Sequence, residues 1–132
     1  MQFNIGERAV GDNQPVFIIA ELSGNHVQNF DIAVKSIEMM KECGVDAVKL
    51  QTYTADTITI DCDSEYFQIK QETPWDGTTL YKLYQQAYTP WEWQPKLKKI
   101  AEDLGLICFS TPFDRTAVDF LEKMGVGVYK VA

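Results

Sequence analysis

Lys49 stands in a run, Ala47-Val-Lys-Leu-Gln-Thr-Tyr53, that otherwise has the pattern of a buried strand. Strands of parallel sheets are covered on both faces and read as near-continuous apolar runs. Lysine is almost never fully buried unless it is paired, so Lys49 needs a chemical reason to be there. Two further runs share the form: Phe17-Ile-Ile-Ala-Glu21-Leu and Val128-Tyr-Lys130-Val-Ala. A fourth, Leu106-Ile-Cys-Phe-Ser-Thr-Pro112, ends in hydroxyls. Each passes from apolar residues to one or two reactive ones and then into a loop or helix. Side chains collect in this way at the carboxyl ends of parallel strands, where α/β folds bind ligands.

Lys49 and Lys130 suit an anion such as a phosphate or carboxylate, for which lysine acts as a point charge. The alternative is a Schiff-base lysine, which needs one amine desolvated and lowered in pKa. Two lysines flanking a carboxylate fit anion binding better. Glu21 is either that functional carboxylate, directed into a partly dry pocket, or the ion-pair partner of Lys49 or Lys130. Ser110 and Thr111 add hydroxyl donors for the same anion, and Gln51 can hydrogen-bond a sugar hydroxyl. Asn25 and His26 lie in the loop after Glu21. We take Asn25 as a candidate substrate contact and His26 as a candidate general base, although a lone loop histidine is more often structural or solvent-exposed. No phosphate-cradling glycine loop and no dinucleotide fingerprint follows the first strand.

The elements that must hold these residues follow from periodicity. Residues 1–14 read as an edge strand or arm with a turn at Gly11-Asp-Asn, and the first confident strand is 16–22. Asn29 caps a helix running to about Cys43, with Phe30, Ala33, Val34, Ile37 and Met40 on one face. Gly44 closes that helix, and a strand over 46–52 completes a βαβ unit. Residues 54–78 are polar with scattered aromatics, Pro74 and a turn at Asp76-Gly77, so they read as a long functional loop at the site's mouth. A short helix follows with Leu80, Leu83, Tyr84 and Ala87 on one face. Thr89, Pro90 and Glu92 then form a capping box for a helix whose core face is Trp93, Leu97, Ile100 and Leu104. Trp91, Trp93, Tyr81 and Tyr84 read as packing residues. Strand three is 106–110, Asp114 caps a helix bearing Ala117, Val118, Leu121 and Met124, and strand four is 128–132.

Alternation of strands and helices predicts an α/β fold with a parallel sheet. It closes either as an open doubly wound sheet or as half of a (β/α)8 TIM barrel. A last strand without its packing helix leaves an apolar edge, which favours the half barrel: four of eight strands, with residues 1–132 the N-terminal portion of a longer chain.

The chain has 132 residues, 45% of them hydrophobic and 23% charged, with a formal net charge of −7. Those are globular values. The acidic balance counts against nucleic acid as the main partner, while inward lysines can still set a local positive field. No run is apolar enough to span a bilayer and no signal peptide opens the chain, so the expected location is cytoplasmic. Cys43 and Cys108 read as small apolar packing residues. Cys62 lies in a polar stretch with no base beside it. The single histidine excludes a zinc site built from several histidines within these residues.

Ile-Ile-Ala-Glu21-Leu-Ser-Gly-Asn-His26, Val-Lys49-Leu-Gln51-Thr, Phe-Ser-Thr111-Pro-Phe and Tyr-Lys130-Val, in that order, resemble the sialic acid synthase family. Gln51-Thr-Tyr-Thr, the Trp75-Asp region, Leu80-Tyr-Lys-Leu-Tyr84 and Thr89-Pro-Trp-Glu-Trp93 are most similar to its pseudaminic acid branch. The N-acetylneuraminate and legionaminic acid branches are next. The resemblance implies condensation of phosphoenolpyruvate with an N-acetylated amino-sugar aldose to a nonulosonic acid, with release of phosphate, in carbohydrate biosynthesis for bacterial surface glycans. It implies that Lys49, Thr111 and Lys130 hold phosphoenolpyruvate, that Glu21 sits beside the carbon that becomes cationic, and that Gln51 contacts the sugar. It further implies a TIM barrel followed by an antifreeze-like domain, a homodimer, and a divalent metal, Mn2+ or Mg2+, with ligands outside these residues. The family often carries glycine two residues after the histidine, where this sequence has Gln28. Residues 1–132 alone are expected to be inactive. Two other readings remain open: a non-catalytic half-barrel that binds a phosphosugar, told apart by natural chain length, and a Schiff-base aldolase, told apart by borohydride trapping with pyruvate.

Overall fold

The computed structural model describes residues 1–70 and 75–132. It begins with a hairpin, β1 (Gln2–Ile5) and β2 (Arg8–Gly11), paired antiparallel from Gln2↔Gly11 to Ile5↔Arg8. The expected edge strand is thus a hairpin turning at Gly6-Glu7, and the expected turn at Gly11-Asp-Asn follows it, closed by the Gln14 amide donating to the Gly11 carbonyl at 3.1 Å. Gly6 adopts φ +58, a left-handed conformation that glycine reaches without steric cost. Asp46 ties this hairpin to the sheet. One carboxylate oxygen pairs with Arg8 Nη1 at 3.3 Å, and the other accepts the Ile18 amide at 2.8 Å.

β3 (Ile19–Glu21), α1 (Phe30–Glu42) and β4 (Ala47–Thr52) form the expected parallel βαβ unit. The first strand is shorter than its sequence pattern: its pairing with β4 starts at Ile19↔Ala47, and Val16 and Ile18 before it lie exposed. Asn29 caps α1, its side-chain oxygen accepting the amides of Asp31 and Ile32. After β4 come α2 (Ala55–Ile58), a single 3-10 turn over Glu65–Phe67, α3 (Leu80–Ala87), a second such turn over Trp91–Trp93 and α4 (Gln94–Asp103). The stretch read as one long loop therefore holds a helical turn, α2, which Tyr81 of α3 meets through a 2.8 Å hydrogen bond from its hydroxyl to Asp56. Pro74, read as a breaker in that stretch, lies outside the described residues. β5 (Ile107–Pro112) joins β4 in parallel, and α5 (Arg115–Lys123) is capped by Asp114 as expected. The sheet order is β3-β4-β5. Val128–Ala132 was expected as a fourth strand. The structure shows one parallel bridge there, Ser110↔Tyr129, with the Lys130 amide donating to the Ser110 carbonyl at 3.1 Å.

The main core lies between α1, α4 and one face of the sheet. It joins Leu22, Ala33, Ile37, Val48, Leu50, Leu97, Ala101, Leu106 and Cys108. A second cluster gathers Ala47 and Phe109 with Leu121 and Val126. Cys108 is buried as expected, and burial pushes its thiol up to about 12, leaving it inert. Cys43 is exposed, so its expected packing role fails. It follows the last residue of α1, where the chain turns back toward β4 and the side chain clears the core. Among the described residues, no helix is long and apolar enough to cross a membrane.

Candidate active site

Register decides which side chains share a face. Lateral partners in parallel strands point the same way, and successive residues alternate. Glu21 pairs with Lys49 and Lys49 with Phe109, which sets one row; Gln51 pairs with Thr111 in the next. The Ser110↔Tyr129 bridge continues that second row to Lys130. Glu21, Lys49, Gln51, Thr111 and Lys130 therefore occupy one face of the sheet, opposite Val48 and Leu50 and toward the strands' carboxyl ends.

Lys49 is 7% exposed, and its ammonium meets Glu21 Oε1 at 3.1 Å. The Glu21 side chain is 55% exposed. The partly dry pocket expected for this carboxylate is thus not what surrounds it among the described residues: β3 is the edge strand, and the side chain is open to solvent. A buried cation with a solvated counter-ion leaves Lys49 able to exchange that partner for another anion. Thr111 is 1% exposed, and its hydroxyl has no hydrogen-bond partner among the described residues. A buried orphan hydroxyl is uncommon and points to an absent acceptor. Beyond this row, Tyr53 meets Tyr84 and Phe113 edge to face at centroid distances of 5.6 and 5.3 Å. Burial, followed by the neighbouring Tyr84, raises the Tyr53 phenol to about 12, so it stays neutral at physiological pH.

Ser110 departs from expectation. One residue before Thr111, it faces the helices, where its hydroxyl lies 2.7 Å from Thr52 Oγ1. Thr52 donates in turn to Gln94 Oε1 at 2.7 Å, so Ser110 is the donor of the pair. Ser110 is therefore a member of a buried network and is not placed to donate to an anion beside Lys49. Gln94, fully buried, also donates to the carbonyls of Gln51 at 3.1 Å and Thr89 at 3.4 Å. The expected capping box at Thr89 is absent. α4 starts at Gln94 without a side-chain cap, and the Thr89 hydroxyl instead meets His26. Gln94 was passed over as a network residue, yet the sequence held a signal. Positions 94, 97 and 101 share the apolar stripe of α4, so a glutamine there is a buried polar group that needs partners.

His26 is fully buried, and both ring nitrogens are engaged. The Gln28 amide donates to Nδ1 at 3.2 Å, so the proton sits on Nε2, which reaches Thr89 Oγ1 at 3.2 Å. Its ring meets Trp93 edge-on at 5.6 Å. Asn25 is exposed in the same loop, its amide bonded to the Leu22 carbonyl. Burial lowers the His26 pKa below 6.5, so the neutral ring belongs to the folded state. The unfolded chain then binds a proton more readily as pH falls through 6.5, and stability falls with it. A denaturation series from pH 8 to pH 5 should show that loss, and His26→Gln should flatten it. An unchanged slope in the variant would remove His26 as its cause.

Among the described residues, no group of three or more His, Cys, Asp or Glu side chains is placed to hold a metal ion. The candidate residues offer one carboxylate already paired, Glu21, and one imidazole whose nitrogens are taken, His26, so they do not fit a metal.

Known proteins align with nine-tenths or more of this chain. It is 45% identical over 120 residues to the pseudaminic acid synthase of Campylobacter jejuni, covering 91% of this chain and 35% of that protein. The Helicobacter pylori pseudaminic acid synthase is 45% identical over 119 residues, 90% of this chain and 35% of that one. Among solved structures, the N-acetylneuraminic acid synthetase of Leptospira borgpetersenii, in complex with citrate, superposes with a TM-score of 0.77 at 26% identity. That match covers 99% of this chain and 41% of that one. The chain spans about a third of the length of the curated relatives it matches. The NeuB family model matches residues 36–132, from the middle of α1 through both lysine-bearing segments, and on that match the chain belongs to the NeuB family.

Proposed function

We propose that residues 1–132 are the N-terminal half of a (β/α)8 barrel in an enzyme that condenses phosphoenolpyruvate with an N-acetylated amino-sugar aldose, most closely a pseudaminic acid synthase. The reading is supported above all by the buried Lys49, paired to a solvated Glu21 in the row beside the orphan Thr111 hydroxyl. Its similarity to the two pseudaminic acid synthases supports the choice of sugar class. In this mechanism the phosphate and carboxylate of phosphoenolpyruvate bind Lys49, Thr111 and Lys130. The enol's methylene carbon attacks the aldose aldehyde, which gains a proton as the new C–C bond forms. Positive charge develops at the carbon bearing the phosphate, and Glu21 stabilises it electrostatically. Glu21 then orients a water that adds to that carbon, and the C–O bond to phosphate breaks to leave the ketone. Gln51 holds a hydroxyl of the sugar. His26 and Asn25 shape the loop at this end of the sheet, and His26 acts by keeping the loop in place, since neither ring nitrogen is free for a proton transfer.

The full-length enzyme is proposed to be a cytoplasmic homodimer supplied with Mn2+ or Mg2+ by ligands outside residues 1–132. Phosphate release by the full-length polypeptide, with phosphoenolpyruvate, manganese and a panel of N-acetylated amino-sugar aldoses, tests the proposal. Aldose-dependent release is expected, and none with any aldose would overturn it. A narrower test uses Thr111→Val, which keeps shape and removes an unpaired hydroxyl. Stability should hold or rise by about 1 kcal/mol, while the KM for phosphoenolpyruvate rises roughly tenfold, the value of one lost hydrogen bond to a charged group. Loss of stability with unchanged KM would contradict that role.

A further inference from the structure

The loop after Glu21 is strapped to the end of α3 at four consecutive residues. Gln28 Nε2 donates to the Gln86 carbonyl at 2.9 Å and to the Tyr88 carbonyl at 2.6 Å. Gly24 lies so close to Ala87 that a Cβ on it would come within 2.8 Å of that residue's carbonyl oxygen. His26 reaches Thr89. The chemistry explains why a donor is needed there. The carbonyl of Gln86 would accept, in a continuing helix, the amide four residues on. That residue is Pro90, which has no N–H. Helix ends leave carbonyls that must find partners elsewhere, and the Gln28 amide supplies one from a distant segment.

The backbone at this point is unfavourable for the residue it carries. Val27 and Gln28 sit at φ +44 and +55, a region that disfavours side chains and suits glycine. What glutamine adds over glycine is a pair of donors, and both are used. Ser23, at φ +50, opens the same loop.

We propose that Gln28 is a positioning residue that couples the loop carrying Asn25 and His26 to the end of α3, and so fixes the aldose subsite between them. The inference rests on the proposed function, in which Gln51 holds a hydroxyl of the sugar and Asn25 and His26 shape the loop at that end of the sheet. α3 belongs to the segment following β4, and the loop follows β3. The strap therefore joins the two connections flanking the Glu21–Lys49 pair.

The experiment uses the full-length enzyme with Gln28→Glu, Gln28→Gly and Gln28→Lys. Gln28→Glu keeps length and loses both donors, Gln28→Gly relieves the backbone and loses both, and Gln28→Lys keeps a donor. The first two should raise the KM for the aldose about tenfold, the equivalent of about 1.4 kcal/mol, with kcat and the KM for phosphoenolpyruvate within about twofold. Gln28→Lys should recover most of the loss. Hydrogen exchange in Gln28→Glu should quicken together at the amides of 22–28 and 84–89. Wild-type aldose KM in both donor-free variants overturns the proposal, as does an equal rise for both substrates. If wild type releases no phosphate with any aldose, the proposed function has failed on its own; exchange then decides the strap, unchanged rates in Gln28→Glu overturning it.

Discussion

Replacing Lys49 with methionine in the full-length enzyme should lower aldose-dependent phosphate release by roughly a thousandfold, the upper end for losing one preorganised charge-stabilising group. Methionine preserves the unbranched stem that fills the space between β3 and β5, so packing is held nearly constant. The stability cost should be small. Breaking a buried pair is severe when it leaves an uncompensated charge inside, but the charge left here is Glu21, whose side chain is more than half exposed and can be solvated where it stands. Phosphoenolpyruvate binding, followed by calorimetry, should weaken in step with activity. Lys49→Arg should restore part of the binding, since it keeps the charge with a different fork geometry. A Lys49→Met enzyme that keeps activity within about tenfold of wild type would remove Lys49 from the mechanism. One that unfolds would instead make the Glu21 pair structural.

The largest stability effect is expected at a residue with no part in the chemistry. Gln94→Leu should destabilise the protein by about 4 kcal/mol, since each buried group left without its partner costs about 1–3 kcal/mol. The substitution takes the acceptor from buried Thr52 and the donor from the carbonyls of buried Thr89 and half-buried Gln51. Leucine fits the volume, so cavity formation contributes little. The measurement is a urea midpoint at constant slope. A loss under about 1 kcal/mol would mean that those groups find other partners. Because Gln94 bonds the backbone of Gln51, a variant that still folds should also bind the aldose more weakly.

The strand-end chemistry was legible in the sequence because a lysine inside an apolar run has few innocent explanations. Asn29 and Asp114 were equally legible as caps, since their bonds span two or three residues and need no tertiary context. Ser110 was not. Whether Ser110 or Thr111 faces the lysine depends on register against β4, and a step of one residue reverses the face. Neighbouring hydroxyls in one strand are indistinguishable until a partner strand is fixed. Thr89 misled for a related reason. A threonine followed by proline and glutamate satisfies a local capping rule, but its hydroxyl is claimed by a histidine 63 positions earlier. The Glu21 environment was misjudged because burial of a strand's last residue depends on neighbouring strands, and β3 has one neighbour among the described residues. Glutamine itself carries no signal for the left-handed backbone at Gln28, and the one hint was the glycine that the resembling family often carries there.

The β4–β5 pairing has a further consequence. These strands are neighbours in the sheet, yet everything from Tyr53 to Leu106 lies between them in sequence, including α2 and α3. Closing a flexible connection costs only about 0.6 kcal/mol more for each doubling of its length. The ladder from Ala47↔Ile107 to Thr52↔Pro112 is thus almost indifferent to how long that excursion is. Residues could be gained or lost between β4 and α3 over evolutionary time at little thermodynamic penalty, provided the anchor at 86–89 and α4, whose Leu97 and Ala101 sit in the core, survive. A scaffold of this kind can change what it admits without relearning how to fold.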